Sequence, residues 1–352
     1  MSGRSTFQLP SPSKGDSEFF LSGAELSASV ISTAHKFDDL ITYKTTLEHV
    51  EKENSGKLTL FLRRENDDGT DTWYTEEYDH LVVATGHNTV PRVPDIKGLD
   101  SWTGELGHTS TWRSGTEFTD KKILIVGTSE SAIDVALQSL PHAKQPVYVS
   151  QQSPHPRYPT VFLRDGIKVV STIESVSGSS ITLSDGEKLD DIDVIVFATG
   201  YFYTYPFLTE KIRPKSDGYR VPGLYQHVFD MHNPQSIAFV GVVNASLCWE
   251  TWEKAAFLVA LFWTGKIALP PLEDQRVWEV KRAEGRESRA FHVLHPHSER
   301  VLHWTELNSL STEYLESELN VDDELLRDYA FEWTVSLAAA GVEKSKFYGI
   351  AR

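Results

Sequence analysis

The sequence predicts an α/β protein organised around parallel sheet, and three observations predict it. Lys122-Ile123-Leu124-Ile125-Val126 is a short apolar strand that enters the tight turn Gly127-Thr128-Ser129-Glu130-Ser131 and then a helix over 132–140. Pro146-Val147-Tyr148-Val149-Ser150 reads as a second strand directly after it. Together they form a strand–turn–helix–strand unit of about 30 residues, the size of one mononucleotide-binding half. Two apolar strands elsewhere end in the same tripeptide, Leu81-Val82-Val83-Ala84-Thr85-Gly86 and Val194-Ile195-Val196-Phe197-Ala198-Thr199-Gly200.

Taken in chain order, residues 1–17 are rich in Ser, Pro, Gly and Lys without periodicity and read as a mobile leader. Leu26, Val30, Ala34 and Phe37 recur at helical spacing and predict a helix over 24–37. Strands follow at 40–46 and 57–63, the second closed by the turn Asn66-Asp67-Asp68-Gly69. After the first Ala-Thr-Gly strand, Pro91 and Pro94 break the chain, and a linker runs to about Asp120. The helix over 132–140 turns Ile133, Ala136, Leu137 and Leu140 inward and stops at Pro141. A strand meander is expected over 167–187, with turns at Ser177-Gly178 and Asp185-Gly186. Aromatic-rich helical spacing from Trp249 to Phe262 and a pattern from Val321 to Leu337, stopped at Gly341, predict packing helices.

An internal repeat underlies this order. Thr46-Leu47-Glu48-His49-Val50 matches Thr172-Ile173-Glu174-Ser175-Val176, and each is followed by a meander and an Ala-Thr-Gly strand. The turn at Gly127 lies 49 residues before Val176, and the same offset from Val50 lands at residue 1. The first copy's nucleotide-binding turn is therefore expected at or before the start of the chain.

Composition narrows the function classes. A chain of 352 residues corresponds to about two domains. Fifty acidic against 34 basic residues give a net charge of −16, which argues against nucleic acid and anionic lipid as partners. The longest apolar run, 255–263, is far short of a membrane span, and no apolar signal segment follows Met1. A single cysteine, Cys248, excludes an internal disulfide and a cysteine-built zinc site, so a cytoplasmic setting is expected. His292, His295, His297 and His303 have loosely metal-like spacing, but Pro296 breaks a shared face and no Cys or nearby Asp completes a ligand set.

The turn at Gly127 carries the chemistry. A dinucleotide site needs a strand-to-helix turn that brings backbone N–H groups against a diphosphate at the helix start. Gly127-Thr128-Ser129-Glu130-Ser131-Ala132 keeps the first glycine of Gly-x-Gly-x-x-Gly, replaces the second with Ser and ends in the tolerated Ala. The following strand ends in Ser150-Gln151-Gln152, and no acid occurs from Val135 through Arg164, a window holding Lys144, Arg157 and Arg164. An acid there would hold the ribose hydroxyls of NAD, so its absence favours NADP. The same turn approaches the nucleophile elbow Gly-x-Ser-x-Gly with Ser129 as nucleophile, although Ser131 would crowd that turn and no oxyanion-hole glycine run lies upstream. Thr85, Gly86, Thr199 and Gly200 end strands on the ligand-binding edge of a parallel sheet; each Gly either contacts a ligand or simply lets the chain turn.

Taken together, these residues resemble the flavin-containing monooxygenases. That family places Phe-x-Gly-x-x-x-His-x-x-x-Tyr/Phe before its NADPH turn, and Trp102-Thr103-Gly104 through His108 to Trp112 fits the spacing, with Trp at both aromatic positions. Ala198-Thr199-Gly200-Tyr201 with Pro206-Phe207-Leu208 matches a further family segment. Val221-Pro222-Gly223-Leu224-Tyr225-Gln226-His227-Val228-Phe229 and Ile237-Ala238-Phe239-Val240-Gly241 resemble fungal-type members. The family's N-terminal FAD-binding Gly-x-Gly-x-x-Gly has no counterpart here, in line with the repeat offset. Trp112 is also what Baeyer–Villiger monooxygenases carry, but their motif continues with Pro or Asp where Arg113 stands, which places the amine- and sulfur-oxidising branch ahead.

The resemblance implies a Rossmann-like FAD/NAD(P)-binding architecture of two dinucleotide domains with the first βαβ of the FAD domain missing. Its parts are the leader 1–17, a partial FAD-domain segment 18–103, an NADP-binding domain 104–200, and the rest of the FAD domain with a helical tail over 201–352. It implies NADPH reduction of FAD and oxygenation of a soft nitrogen or sulfur centre of a small molecule through a flavin hydroperoxide. Residues 127–132 with Ser150, Gln151 and Arg157 would hold NADP. His108 would either couple nicotinamide and flavin or act only as a hydrogen-bonded linker residue. The rival expectation is a regulatory NADP(H)-binding chain that has lost FAD and pairs with a copy of itself or with another chain.

Overall fold

The computed structural model describes residues 23–210, 212, 217–244, 249–294 and 297–319. The expected leader, Cys248, His295 and the expected helix over 321–337 lie outside these residues. The chain divides into two compact units: one takes the described residues up to His87 and those from Tyr203 onward, the other Asn88–Phe202.

The first unit opens with helix α1, Gly23–Ala34, which tightens into a 3-10 turn over His35–Leu40. Two residues of its expected apolar stripe are exposed, Val30 at 39% and Phe37 at 54%. Strands β1 (Thr45–Lys52), β2 (Leu58–Glu65) and β3 (Asp71–Tyr78) form an antiparallel meander, and β4 (Leu81–Val83) follows. The strand expected over 40–46 is displaced toward the C-terminus. Lys44, at φ +53, bends the chain out of the 3-10 turn, and pairing starts only at Thr45 opposite Arg64.

The second unit contains β5 (Val90–Pro91), β6 (Glu105–His108), β7 (Ile123–Val126), helix α2 (Glu130–Ser139), β8 (Val147–Ser150) and β9 (Ile167–Val170). It continues through β10 (Ile173–Ser177), β11 (Ser180–Leu183), β12 (Lys188–Leu189), β13 (Val194–Phe197) and β14 (Tyr201–Phe202). Five strands make one sheet in the order β6-β13-β7-β8-β9, every pair parallel. Two expectations change here. The segment read as a linker supplies β6, which joins the sheet because Glu105–His108 pairs residue for residue with Val194–Phe197. Ile167–Val170, expected in the meander, is the opposite edge of the parallel sheet, and the meander proper begins at Ile173. Side chains alternate across the sheet as strand geometry demands. Ile123, Ile125, Val147, Val149, Val194 and Val196 pack with Ile133 and Ala136 of α2, while Leu124, Tyr148, Ile195 and Phe197 pack with Ile181 and Leu183 of the meander. With both faces covered, each such side chain contributes about 1.5–3 kcal/mol.

The first unit resumes with β15 (Leu224–Tyr225), β16 (Phe229–Asp230), β17 (Ile237–Phe239), α3 (Trp249–Trp263), α4 (Leu272–Ala283), α5 (His297–Ser309) and α6 (Thr312–Leu319). Its second sheet has the order β15-β16-β17-β4, parallel only between β17 and β4. Among the described residues, no helix is long and apolar enough to cross a membrane.

The repeat is present in three dimensions. In β1 the register skips Glu48, between Leu47 and His49, and in β10 it skips the matching Glu174, between Ile173 and Ser175. The matching valines also receive the same contact: Val50 N–H donates to Phe207 O at 2.9 Å, and Val176 N–H to Lys97 O at 2.8 Å. The two Ala-Thr-Gly strands differ in their neighbours. β13 lies between β6 and β7 and is buried throughout, whereas β4 pairs only with β17 among the described residues and leaves Val82 43% exposed.

Candidate functional site

Strand β7 is buried at the centre of the second unit's sheet and delivers the chain to Gly127 at φ +112. A Cβ there would sit 2.7 Å from Ala198 O, so both the backbone angle and the contact with β13 require glycine. Gly127 N–H donates to Ser150 O at 2.9 Å, tying the turn to the end of β8. Ser129 caps α2: its Oγ accepts from Ala132 N–H at 3.4 Å and donates to Ala198 O at 3.1 Å. The hydroxyl hydrogen is thereby held by β13, and no histidine is among its partners. The hydrolase reading of Ser129 does not fit this geometry.

The turn is open. Ser129 and Ser131 are exposed, Gly127, Thr128 and Glu130 are half-buried, and Ala132 is sealed into the core. The start of α2, with its backbone N–H groups and positive dipole end, thus faces solvent. Glu130 and Arg157 pair beside it at 3.6 Å. Arg157 is fixed by a feature that the sequence reading missed: His155 Nδ1 accepts the N–H groups of Arg157 at 3.1 Å and Tyr158 at 3.0 Å, and its ring stacks on Tyr158. The signal was a histidine two residues before the arginine in a proline-rich loop. Ser150 sits differently from expectation. It is buried, and its hydroxyl donates to Ser171 O at 2.9 Å, so what it gives the turn is its carbonyl. Gln151 emerges half-buried just beyond it.

Thr199 and Gly200 leave β13 beside this turn and are gripped from the segment read as a linker. Arg92 N–H donates to Gly200 O at 2.9 Å, the Arg92 guanidinium donates to Thr199 O, and the Thr199 hydroxyl donates to Arg92 O. His108 completes the grip. Its Nδ1 accepts Ser110 N–H at 3.1 Å, so Nε2 carries the proton and donates to Gly200 O at 3.0 Å. Burial holds the His108 imidazole below its ordinary value, the Gly200 carbonyl opposing and Arg92 reinforcing the shift. A neutral His108 thus positions the strand end against which Gly127 and Ser129 rest. Replacing it with alanine is expected to cost on the order of 1–2 kcal/mol of stability and to speed amide exchange around Gly200. Unchanged exchange would contradict that role.

Thr85 and Gly86 belong to the first unit. Gly86 is at φ +73 and a Cβ there would meet nothing, so the angle alone explains it. His87 follows, its Nδ1 2.8 Å from Gly241 O, and burial lowers its pKa. The histidine cluster is also resolved in this unit. His292 Nε2 accepts Val221 N–H at 2.9 Å, which leaves its proton on Nδ1 to be donated to His227 Nδ1 at 2.9 Å. His303 Nδ1 is 3.1 Å from Gln226 Oε1, and the Gln226 amide donates to Glu306 Oε2 at 3.0 Å. These rings are locked in hydrogen bonds to one another and to amide groups, and no metal-binding grouping of three occurs among the described residues.

A family model described as flavin-binding monooxygenase-like matches residues 156–343. The chain belongs to this family. A second model, described as pyridine nucleotide-disulphide oxidoreductase, matches residues 70–226 and so covers the glycine turn. The flavin-containing monooxygenase FMO GS-OX5 of Arabidopsis thaliana is 28% identical over 82% of this chain and 63% of its own length. The trimethylamine monooxygenase of Roseovarius sp. is 32% identical over 69% of this chain and 52% of its own length. The chain therefore spans about half to three-fifths of these curated relatives. Among solved structures, the S-allyl-L-cysteine S-oxygenase of Allium sativum superposes with a TM-score of 0.70 at 25% identity, over 94% of this chain and 80% of that one. Within this flavin-binding monooxygenase-like chain, Gly104 of the aromatic-Gly-His motif also has a packing cause. A Cβ there would lie 2.7 Å from both Asp193 O and the Trp102 ring.

Proposed function

We propose that this chain is the nicotinamide-binding body of an NADPH- and FAD-dependent monooxygenase that oxygenates a soft nitrogen or sulfur centre of a small molecule. The open, capped turn from Gly127 to Ala132 carries the reading, because it ends a buried strand and leaves the exposed start of α2 with its backbone N–H groups. In this proposal residues 127–131 and the α2 N-terminus hold the coenzyme diphosphate. Arg157, in a stretch free of acids, receives a ribose phosphate, and Gln151 stands at the same strand end. Arg92 and His108 keep the Thr199–Gly200 edge in place. When bound, the nicotinamide supplies hydride and the flavin supplies oxygen activation, while the protein supplies placement and a dry site. The relatives named for trimethylamine and S-allyl-L-cysteine support the nitrogen or sulfur centre.

FAD fits less well. After β4, Thr85 and Gly86 lead toward β5 rather than into a helix. A second reading is a chain that binds NADP(H) without a flavin site of its own. A fluorescence titration tests what the readings share: NADPH is expected to bind at least tenfold more tightly than NADH, and Arg157→Ala to remove most of that preference. Equal affinities in the unsubstituted protein would refute the NADP assignment. An absorption spectrum with and without added FAD separates the two. A colourless protein that gains no bound flavin supports the second reading, and a stoichiometric flavin band supports the first.

A further inference from the structure

A diphosphate cradle is an unexpected place for a carboxylate, yet Glu130 opens α2 in the middle of the glycine turn. The diphosphate and any ribose phosphate are anions, and a negative side chain beside them lowers affinity by repulsion. The geometry shows where the Glu130 charge goes. Its carboxylate lies 3.6 Å from the Arg157 guanidinium, with side-chain exposures of 32% and 28%. Glu130 also stands in the first helical turn, where the dipole favours an anion. The turn thus carries an anion of its own, set on the arginine assigned above to a ribose phosphate.

The two partners are not equally mobile. His155 Nδ1 pins the Arg157 backbone at 3.1 Å, and the guanidinium carbon lies 5.8 Å from the centre of the Tyr158 ring, which is itself stacked on His155. Arg157 is therefore positioned before any ligand arrives. Glu130 is a flexible side chain on the rim of an open turn, between the exposed Ser129 and Ser131. A partly exposed pair at this distance is weakly held. A phosphate takes a guanidinium through two parallel charge-assisted hydrogen bonds and can displace the carboxylate, but the pair must first be broken.

We propose that Glu130 is a specificity-determining residue of the coenzyme site, its carboxylate competing with the ribose phosphate for Arg157. This rests on the NADP reading given above. NADPH has to exchange one ion pair for another, so Glu130 holds its affinity down. NADH brings no ribose phosphate, leaves the pair in place and is nearly indifferent to it. Glu130 retakes Arg157 as the phosphate leaves, which keeps the coenzyme exchangeable.

The test is a cycle of four full-length proteins, the unsubstituted chain, Glu130→Gln, Arg157→Ala and the double variant, each titrated by fluorescence with NADPH and with NADH. Glu130→Gln, nearly isosteric, is expected to tighten NADPH by at least about threefold and NADH by less than about 1.5-fold. With Arg157 already replaced by alanine, the same change should lose most of its effect on NADPH, because nothing is left to compete for. Unchanged or weaker NADPH binding in Glu130→Gln overturns the proposal. Equal tightening of both coenzymes would reduce Glu130 to general repulsion of the diphosphate, and weaker NADH binding would make it a ribose-hydroxyl ligand. A full gain in the absence of Arg157 would detach Glu130 from the pair. Each of these results overturns the proposal and leaves the NADP reading standing, whereas an unsubstituted chain that binds both coenzymes equally refutes the two together.

Discussion

Gly127→Ala is expected to be among the most damaging single-methyl substitutions in the second unit. The added Cβ would lie 2.7 Å from Ala198 O and 3.3 Å from Ala198 C, both backbone atoms of a buried strand end that has no room to yield. Alanine would also have to hold φ +112. Left-handed strain of about 1–3 kcal/mol and overpacking of similar size add to a loss of about 3–5 kcal/mol. The turn cannot relax without moving Gly127 N–H off Ser150 O and Ser129 off Ala198 O, so NADPH affinity should fall at least a hundredfold in whatever folded protein remains. Gly107→Ala is the matched control. It lies in the same sheet, has no strained angle, and a Cβ there would meet nothing within 4 Å, so it should change stability by no more than about 1 kcal/mol. Urea unfolding and coenzyme titration of both variants decide the matter. If Gly127→Ala behaves like Gly107→Ala in both, the turn does not do what is assigned to it.

The contrast between these glycines shows what the sequence could reveal. Gly127 stood out because an apolar strand, a turn and a helix follow one another within about 30 residues, a local pattern fixed by period and turn chemistry. The repeat was legible for the same reason, and the skipped glutamates Glu48 and Glu174 show that it reaches individual ladder positions. What stayed hidden is non-local. β6 reads as linker because Glu105-Leu106-Gly107-His108 has little strand character of its own. It becomes a strand by pairing with Val194–Phe197, about 90 residues on. Arg92 sits between prolines and shows no motif, yet it and His108 hold the Thr199–Gly200 edge across a similar distance. Ser150 was placed at the right strand end, but the direction of its hydroxyl depends on Ser171, in a neighbouring connection. The apolar letters over 40–46 misled because strand composition without a partner does not make a strand. Leu40 is 83% exposed.

Acid is expected to unfold the first unit well before its carboxylates titrate. His227 and His303 are fully buried and neutral; burial pushes His303 down to about 3 and His227 well below its ordinary value, with His292 and His303 adding to the latter shift. In the unfolded chain both revert to about 6.5. Above that pH neither state holds the extra protons, and stability is unaffected. As pH falls through 6.5 the unfolded chain binds protons that the fold refuses, and each histidine removes about 1 kcal/mol per pH unit until its folded value is reached. Two such groups take about 4–6 kcal/mol between pH 6.5 and 4.5, a large part of an ordinary domain's stability. His87, also lowered by burial, acts in the same direction. Protonating His303 in the fold is no escape. Its Nε2 is buried with no partner among the described residues, and its Nδ1 proton is already given to Gln226. Urea midpoints measured at intervals from pH 7.5 to 4.5 should therefore fall steeply below pH 6.5. His303→Gln, which can keep a donor for Gln226 without titrating, should start less stable at pH 7.5 and lose less on acidification, by about one proton's slope. A midpoint that stays flat to pH 5, or a variant with the parent's slope, would mean that these imidazoles are already charged in the fold or that water reaches them.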